Sequence, residues 1–126
     1  MKQAIVTDKV PGAIGPYSLG IRTGKMIFLS GQLPINPATN ELITDDIKEA
    51  ARQILTNIDA ILNAAKGSLA DVVKTTIFLT NMDNFADVNE VYTGFFGDPA
   101  PARSCVAVAA LPKNADIEIE AIAILP

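Results

Sequence analysis

Histidine is missing from all 126 residues, and no other absence excludes as much. Ser–His and Cys–His nucleophilic systems cannot be assembled within the chain, nor can the usual His-containing zinc sites. Cys105 is the only cysteine. It allows no internal disulfide and no thiolate metal site, and such usage fits a reducing compartment. Neither GxxxxGK[ST] nor GxGxxG occurs, so no phosphate-cradling loop is signalled. Ten scattered basic residues against fourteen acidic ones leave a net charge of −4. That balance offers little general attraction to a phosphate backbone, so nucleic acid is not an expected partner. No segment approaches the roughly 20 apolar residues of a membrane span. The opening MKQAIVTDK lacks the apolar run of a signal peptide and has no transit-peptide character. A cytoplasmic location is the expectation.

What remains is a chain that is 49% hydrophobic and 19% charged, without low-complexity tracts, and long enough for one domain (1–126) with its own core. QAIVT reads as a short strand and PGAIGPYS as a loop. LGIRTGKMIFLSGQL reads as a hairpin turning at Thr23-Gly24, and PINPATNEL as a loop. Ile47, Ala51, Ile54, Leu55, Ile58, Ile61, Leu62 and Ala65 form the stripe of a helix. Thr44 or Asp45 is the expected cap and Gly67 marks the end. VVKTTIFLT is a β-branched strand. A second helix begins near Asp83-Asn84, carries Phe85, Val88, Tyr92, Phe95 and Phe96 on one side, and stops at Gly97 and Pro99. ARSCVAVAAL and DIEIEAIAIL follow as strands joined by a turn at PKNA. The order predicts an α+β fold, with two helices on one face of a mixed six-stranded sheet.

Two helices cover only one face, yet the strands are apolar on both. In VVKTTIFLT, Val73, Ile77 and Leu79 alternate with Val72 and Phe78. In the last strand Ile117 and Ile119 point one way, and Ile122 and Ile124 point with Glu118 and Glu120. A lone copy would leave a large apolar surface in water, so assembly through the bare face is expected.

Acid–base work in such a chain falls to carboxylates, Tyr17, Tyr92, lysines, backbone groups or water. In PARSCVAVAALPKNADIEIE (101–120), alternation groups Arg103, Cys105, Ala107 and Ala109 on one face. Arg103 is either half of a structural ion pair or a bidentate holder of a ligand carboxylate. Glu118 is either a solvated strand glutamate or a base placed beside the same cavity. Burial would raise its pKa and a nearby arginine would lower it. Cys105 lacks the usual activation and reads as a small packing residue. Tyr17 sits in a Gly/Pro loop, as anchor or as ligand contact. Gly31 in LSGQL marks a bulge or a close approach. Asn89 and Tyr92 lie four and seven residues beyond Phe85, where helix packing accounts for Tyr92 and a surface amide for Asn89.

Taken together, PARSCVAVAALPKNADIEIE, GPYS with Tyr17, LSGQLP with Ser30 and Gly31, and NFADVNEVYTGFF with Asn89 resemble the reactive intermediate deaminase A family, also called the YjgF family. The likeness spans nearly the whole chain. It implies a chorismate-mutase-like fold, assembled as a homotrimer around a central barrel with sites between subunits. It implies hydrolysis of short-lived enamines and imines (2-aminoacrylate/2-iminopropanoate, 2-iminobutanoate) to 2-keto acids and ammonia, without metal or organic cofactor. By the same resemblance Arg103 grips the substrate carboxylate and Glu118 positions water and moves protons. Tyr17, Ser30, Gly31 and Asn89 line the pocket, and Cys105 contributes its backbone and small size. A non-catalytic trimer that binds small ligands and an endoribonuclease or translation inhibitor are the alternatives.

Overall fold

The computed structural model describes residues 1–126. Strands β1 (Gln3–Ile5), β2 (Gly20–Thr23) and β3 (Met26–Gln32) lead into two short strands, β4 (Ile35–Asn36) and β5 (Glu41–Leu42). Helix α1 (Ile47–Ala64), β6 (Val72–Leu79), α2 (Phe85–Thr93), β7 (Ala102–Ala107) and β8 (Ile117–Ile124) complete the chain. Six strands form one sheet in the order β1-β2-β3-β8-β6-β7. All its pairs are antiparallel except β6–β7. The sheet is therefore mixed, as the order of elements predicts.

Helix α1 forms where the apolar stripe lies, and Ala51, Ile54, Leu55, Ile58, Ile61 and Leu62 are all buried. Burying each large member stabilises the fold by about 1.5–3 kcal/mol. The stripe packs on β3 and β8, whose inward residues Ile27, Leu29, Ile117, Ile119, Ala121 and Ala123 belong to the same core. The cap is Asp46 rather than Thr44 or Asp45, its carboxylate accepting from the Glu49 N–H at 3.2 Å. Asp45 is displaced from that role because its backbone is left-handed (φ 60°) and its N–H donates to Asp116. At the other end Lys66 takes the left-handed position (φ 65°), and Gly67 follows it, donating its N–H to Leu62. Gly67 is needed for close approach, since a Cβ there would come within 2.7 Å of Leu125.

Three boundaries differ from the sequence reading. Helix α2 ends at Thr93, before Phe95 and Phe96, with Gly94 at its C-cap. β7 ends at Ala107, although the Val108 N–H still bonds Leu79 O. The loop after Pro34 contains the small β4–β5 hairpin, too short to register as alternation.

A fourth difference concerns faces. The β6–β8 register shifts between Val72 and Lys74. This bulge puts Val72 inside with Thr75, Ile77 and Leu79, and leaves Val73 exposed. One extra residue in a strand reverses the alternation on its near side.

The uncovered face is as apolar as expected. Met26, Phe28 and Ile124 are 40%, 41% and 45% exposed, and Phe28 is the cross-strand partner of Ile122.

Candidate active site

β3 carries the second bulge of the sheet. Leu29 pairs with Ala121 and Gln32 with Ile119, so Ser30 and Gly31 together face only Glu120. The irregular turn is held by Ser30, whose N–H donates to Leu19 O at 2.9 Å and whose Oγ donates to Ser18 O at 2.6 Å. That ties the bulge to the loop bearing Tyr17, a residue still 53% exposed. Tyr17, Ser30, Gly31 and Glu118 line an open cavity of about 380 Å³, with Ile14, Leu33 and Pro112.

Gly31 is where Glu118 rests. A Cβ on Gly31 would overlap the Glu118 carboxylate oxygen and lie 2.7 Å from its Cδ. The glycine thus answers a close approach and does not need a special φ. Burial, and then the neighbouring Glu120, push the Glu118 carboxyl above the ordinary carboxylate range. Of the two directions open from the sequence, the upward one holds within a single chain.

Arg103 lies elsewhere. It is on β7, the sheet edge, in register with Thr75 of β6. Thr75 is buried on the helix-covered side. Glu118 is in register with Phe78, on the opposite side. Since neighbouring residues in register share a face and successive residues along a strand swap it, and Thr75 and Phe78 are three apart on β6, Arg103 and Glu118 project from opposite faces of one sheet. The expectation that both line one cavity therefore fails within the chain.

Around Arg103 the structure gathers α2. Its Nη1 donates to Asn89 Oδ1 at 2.7 Å, and its Cζ lies 5.4 Å and 5.0 Å from the ring centroids of Phe85 and Tyr92. The two ion pairs of the chain are Lys48–Glu90 and Arg52–Glu49, so Arg103 meets no carboxylate. Cys105, two residues on, shares the Arg103 face and packs against the core. Burial holds its thiol above the ordinary range, outweighing the opposing pull of Arg103. That shift disfavours the thiolate a nucleophile would need.

The seven expected residues thus form two groups: Tyr17, Ser30, Gly31 and Glu118 at one cavity, and Asn89, Arg103 and Cys105 at the β7–α2 edge. No three acidic or cysteine side chains converge as a metal site would require.

A family model described as endoribonuclease L-PSP matches residues 7–125. The chain belongs to this family. It is 49% identical over 127 residues to the 2-iminobutanoate/2-iminopropanoate deaminase of Escherichia coli K12, with 98% of each chain covered. Among solved structures, a Thermotoga maritima protein provisionally described as an endoribonuclease superposes with a TM-score of 0.96 at 56% identity, covering 100% of this chain and 99% of that one. Escherichia coli TdcF with bound serine gives 0.92 at 45%, covering 98% and 99%. The two-helix, six-stranded fold of this family is the one described above.

The sequence reading missed one family of contacts. Phe85, Asn89 and Tyr92 all reach Arg103, and their i, i+4, i+7 spacing was the available signal. Nothing in spacing alone distinguishes an arginine platform from ordinary packing.

Proposed function

We propose that the chain hydrolyses short-lived enamines and imines of 2-keto acids, releasing the keto acid and ammonia, at sites shared between copies of a homotrimer. The observation that carries this reading is Arg103, a cation fixed by an amide and two rings and paired with no acid of its own chain. The structural ion pair finds no partner, which leaves a ligand carboxylate as the fitting counter-charge. The deaminase name of a relative at 49% identity supports the same chemistry.

Because Arg103 and Glu118 occupy opposite faces, a complete site takes Tyr17, Ser30, Gly31 and Glu118 from one copy. Its neighbour supplies Arg103, Asn89 and the Cys105 backbone. Assembly through the apolar face would bring them together and cover Met26, Phe28 and Ile124. A closed ring of heterologous contacts repeats that junction three times.

Arg103 holds the substrate carboxylate. A proton adds to the enamine carbon, giving the iminium, and water held by the Glu118 carboxylate attacks the C=N carbon while Glu118 takes its proton. Returning that proton to nitrogen lets the C–N bond break with loss of ammonia, while the carbinolamine hydroxyl gives up its own proton to Glu118, leaving the C=O of the keto acid and a proton that passes to solvent. Imines hydrolyse unaided, so positioning and proton transfer are sufficient. None of these steps draws on a metal or an organic cofactor. The single cysteine and the absence of any helix long and apolar enough to cross a membrane accord with a cytoplasmic setting.

The test is direct. A threonine dehydratase generates 2-iminobutanoate, and the protein should accelerate its decay with matching ammonia release. Arg103→Ala should lower that rate at least about tenfold, the worth of a charge-assisted pair, and Lys should rescue poorly without the fork. Binding without ammonia release would favour the regulatory trimer. The endoribonuclease reading has the family description behind it and the net charge of −4 against it. RNA cleavage that persists at high salt would favour it.

A further inference from the structure

Thr75 is fully buried, at 0% exposure, in the middle of β6 with Ile77 and Leu79 beyond it in the core. A valine would fill that space without a polar group to satisfy, and the chemistry above makes no use of the hydroxyl. Its Oγ1 lies 2.7 Å from Tyr92 Oη, so the two hydroxyls satisfy one another. Tyr92 is itself buried, and its ring packs at 4.5 Å against Phe96. The bond to Thr75 fixes one end of the ring, and the face of that ring lies beneath Arg103.

The same strand pair closes the arrangement. Thr75 is the in-register neighbour of Arg103 across the β6–β7 ladder. The backbone beside the arginine and the ring under its guanidinium are therefore tied to one another through a buried hydrogen bond. Phe85 adds a second ring and Asn89 an acceptor at Nη1. Rings attract a cation through their faces without competing for its N–H groups. A flexible arginine would have to be ordered when a carboxylate arrives, and one already fixed would not.

We propose that Thr75, Phe85 and Tyr92 are positioning residues that hold the Arg103 guanidinium in one orientation, with its remaining N–H groups open to the substrate carboxylate. The proposal rests on the clamp role given to Arg103 above. Asn89 supplies the one amide contact, so the rings provide attraction and the amide sets the rotation.

Three substitutions separate the contributions. Thr75→Val and Tyr92→Phe each remove the buried hydrogen bond but keep the shape, whereas Tyr92→Leu removes the ring. Tyr92→Leu should raise KM for 2-iminobutanoate about tenfold with kcat little changed, as loss of a desolvated cation–π contact and of uniform binding would. Thr75→Val should raise KM about twofold to threefold, and adding Tyr92→Phe should change little more, because both remove one bond. In an Arg103→Ala background Tyr92→Leu should leave kcat/KM where it was. The Nε–Hε NMR signal of Arg103, displaced by both ring faces in the wild type, should move part of the way toward the free-arginine position in Tyr92→Leu, where Phe85 remains. This signal reads the platform without reference to activity. An Arg103→Ala variant with wild-type kcat/KM would remove the clamp, while a displaced signal would still report the platform. An unmoved signal in Tyr92→Leu, or an equal loss of kcat/KM with and without Arg103, would overturn the platform. Should Tyr92→Leu fail to fold, Thr75→Val decides, and an unchanged KM together with an unmoved signal would be the refuting result.

Discussion

Arg103 and Glu118 stand on opposite faces of the same sheet, Arg103 in register with Thr75 and Glu118 with Phe78. If both act on one substrate molecule, they act from different copies. Arg103→Ala and Glu118→Gln proteins, each nearly inactive alone, should then complement one another when unfolded and refolded together. In a cyclic trimer every mixed assembly regains one intact junction, so random equal mixing should restore about a quarter of wild-type activity. Ammonia release from the mixture measures this. A mixture no more active than its components would place both residues in one chain's site.

Gly31 sets where the Glu118 carboxylate can lie, since any Cβ there would overlap it. The obstructed atoms are the end of a flexible side chain, so Gly31→Ala should displace the carboxylate without unfolding the protein. The expected result is a fall in kcat of about tenfold or more with the melting temperature little changed, since the group is displaced and not removed, and its full loss would cost about 10²–10⁴-fold. In a Glu118→Gln background the same change should cost much less. Full activity in Gly31→Ala would show that the placement of Glu118 is not critical.

Both groups of residues were legible in the sequence one by one, but their relation was not. Alternation assigns Arg103 and Cys105 to one face of their strand, and Glu118 and Glu120 to one face of theirs, and the structure agrees. It cannot say how two strands are registered through a third, and β6 lies between them in the sheet. The bulge at Val73 hid itself for a similar reason, because Val72 and Val73 are equally apolar and only their partners on β8 reveal which points inward. Helix α1 was plain because its stripe spans five turns. Its cap was misplaced by two residues or one, because Thr44, Asp45 and Asp46 are all good caps. The contact that decided among them is with Asp116, 71 residues away.

The pH dependence should respond to Glu120. Burial raises the Glu118 pKa, and the Glu120 charge raises it further. If the ionised carboxylate holds the water, activity falls as pH drops through that pKa. Glu120→Gln removes a negative neighbour, stabilises the ionised form, and should move the acid limb of the rate profile to lower pH. An acid limb shifted upward by Glu120→Gln would mean that the limb belongs to another group.

Assembly should depend on the uncovered face. Phe28 stands at its centre, 41% exposed and paired with Ile122. Phe28→Asp places a charge where an apolar contact is expected, which an interface tolerates poorly. Light scattering at micromolar concentration should give a trimer for the wild type and a folded monomer for the variant, the latter without deaminase activity. A monomeric, active wild type would sink both the assembly and the shared site.

Cys105 separates a nucleophilic mechanism from a positioning one. Its thiol is half-buried on the helix side, where burial raises its pKa, and it has no histidine to activate it. If sulfur attacked the imine carbon, Cys105→Ser would abolish turnover. If the residue serves by its size and backbone, the serine variant keeps the volume and the chain path. It should retain more than about a tenth of wild-type activity, a barrier change below roughly 1.4 kcal/mol. Bulky alkylation could inhibit under either mechanism by crowding Arg103, so the substitution decides and labelling does not. Glu118→Gln, which removes the half-buried carboxylate at the Tyr17 cavity, should lose more. A dead serine variant beside a healthy glutamine variant would reverse the roles assigned to the two residues.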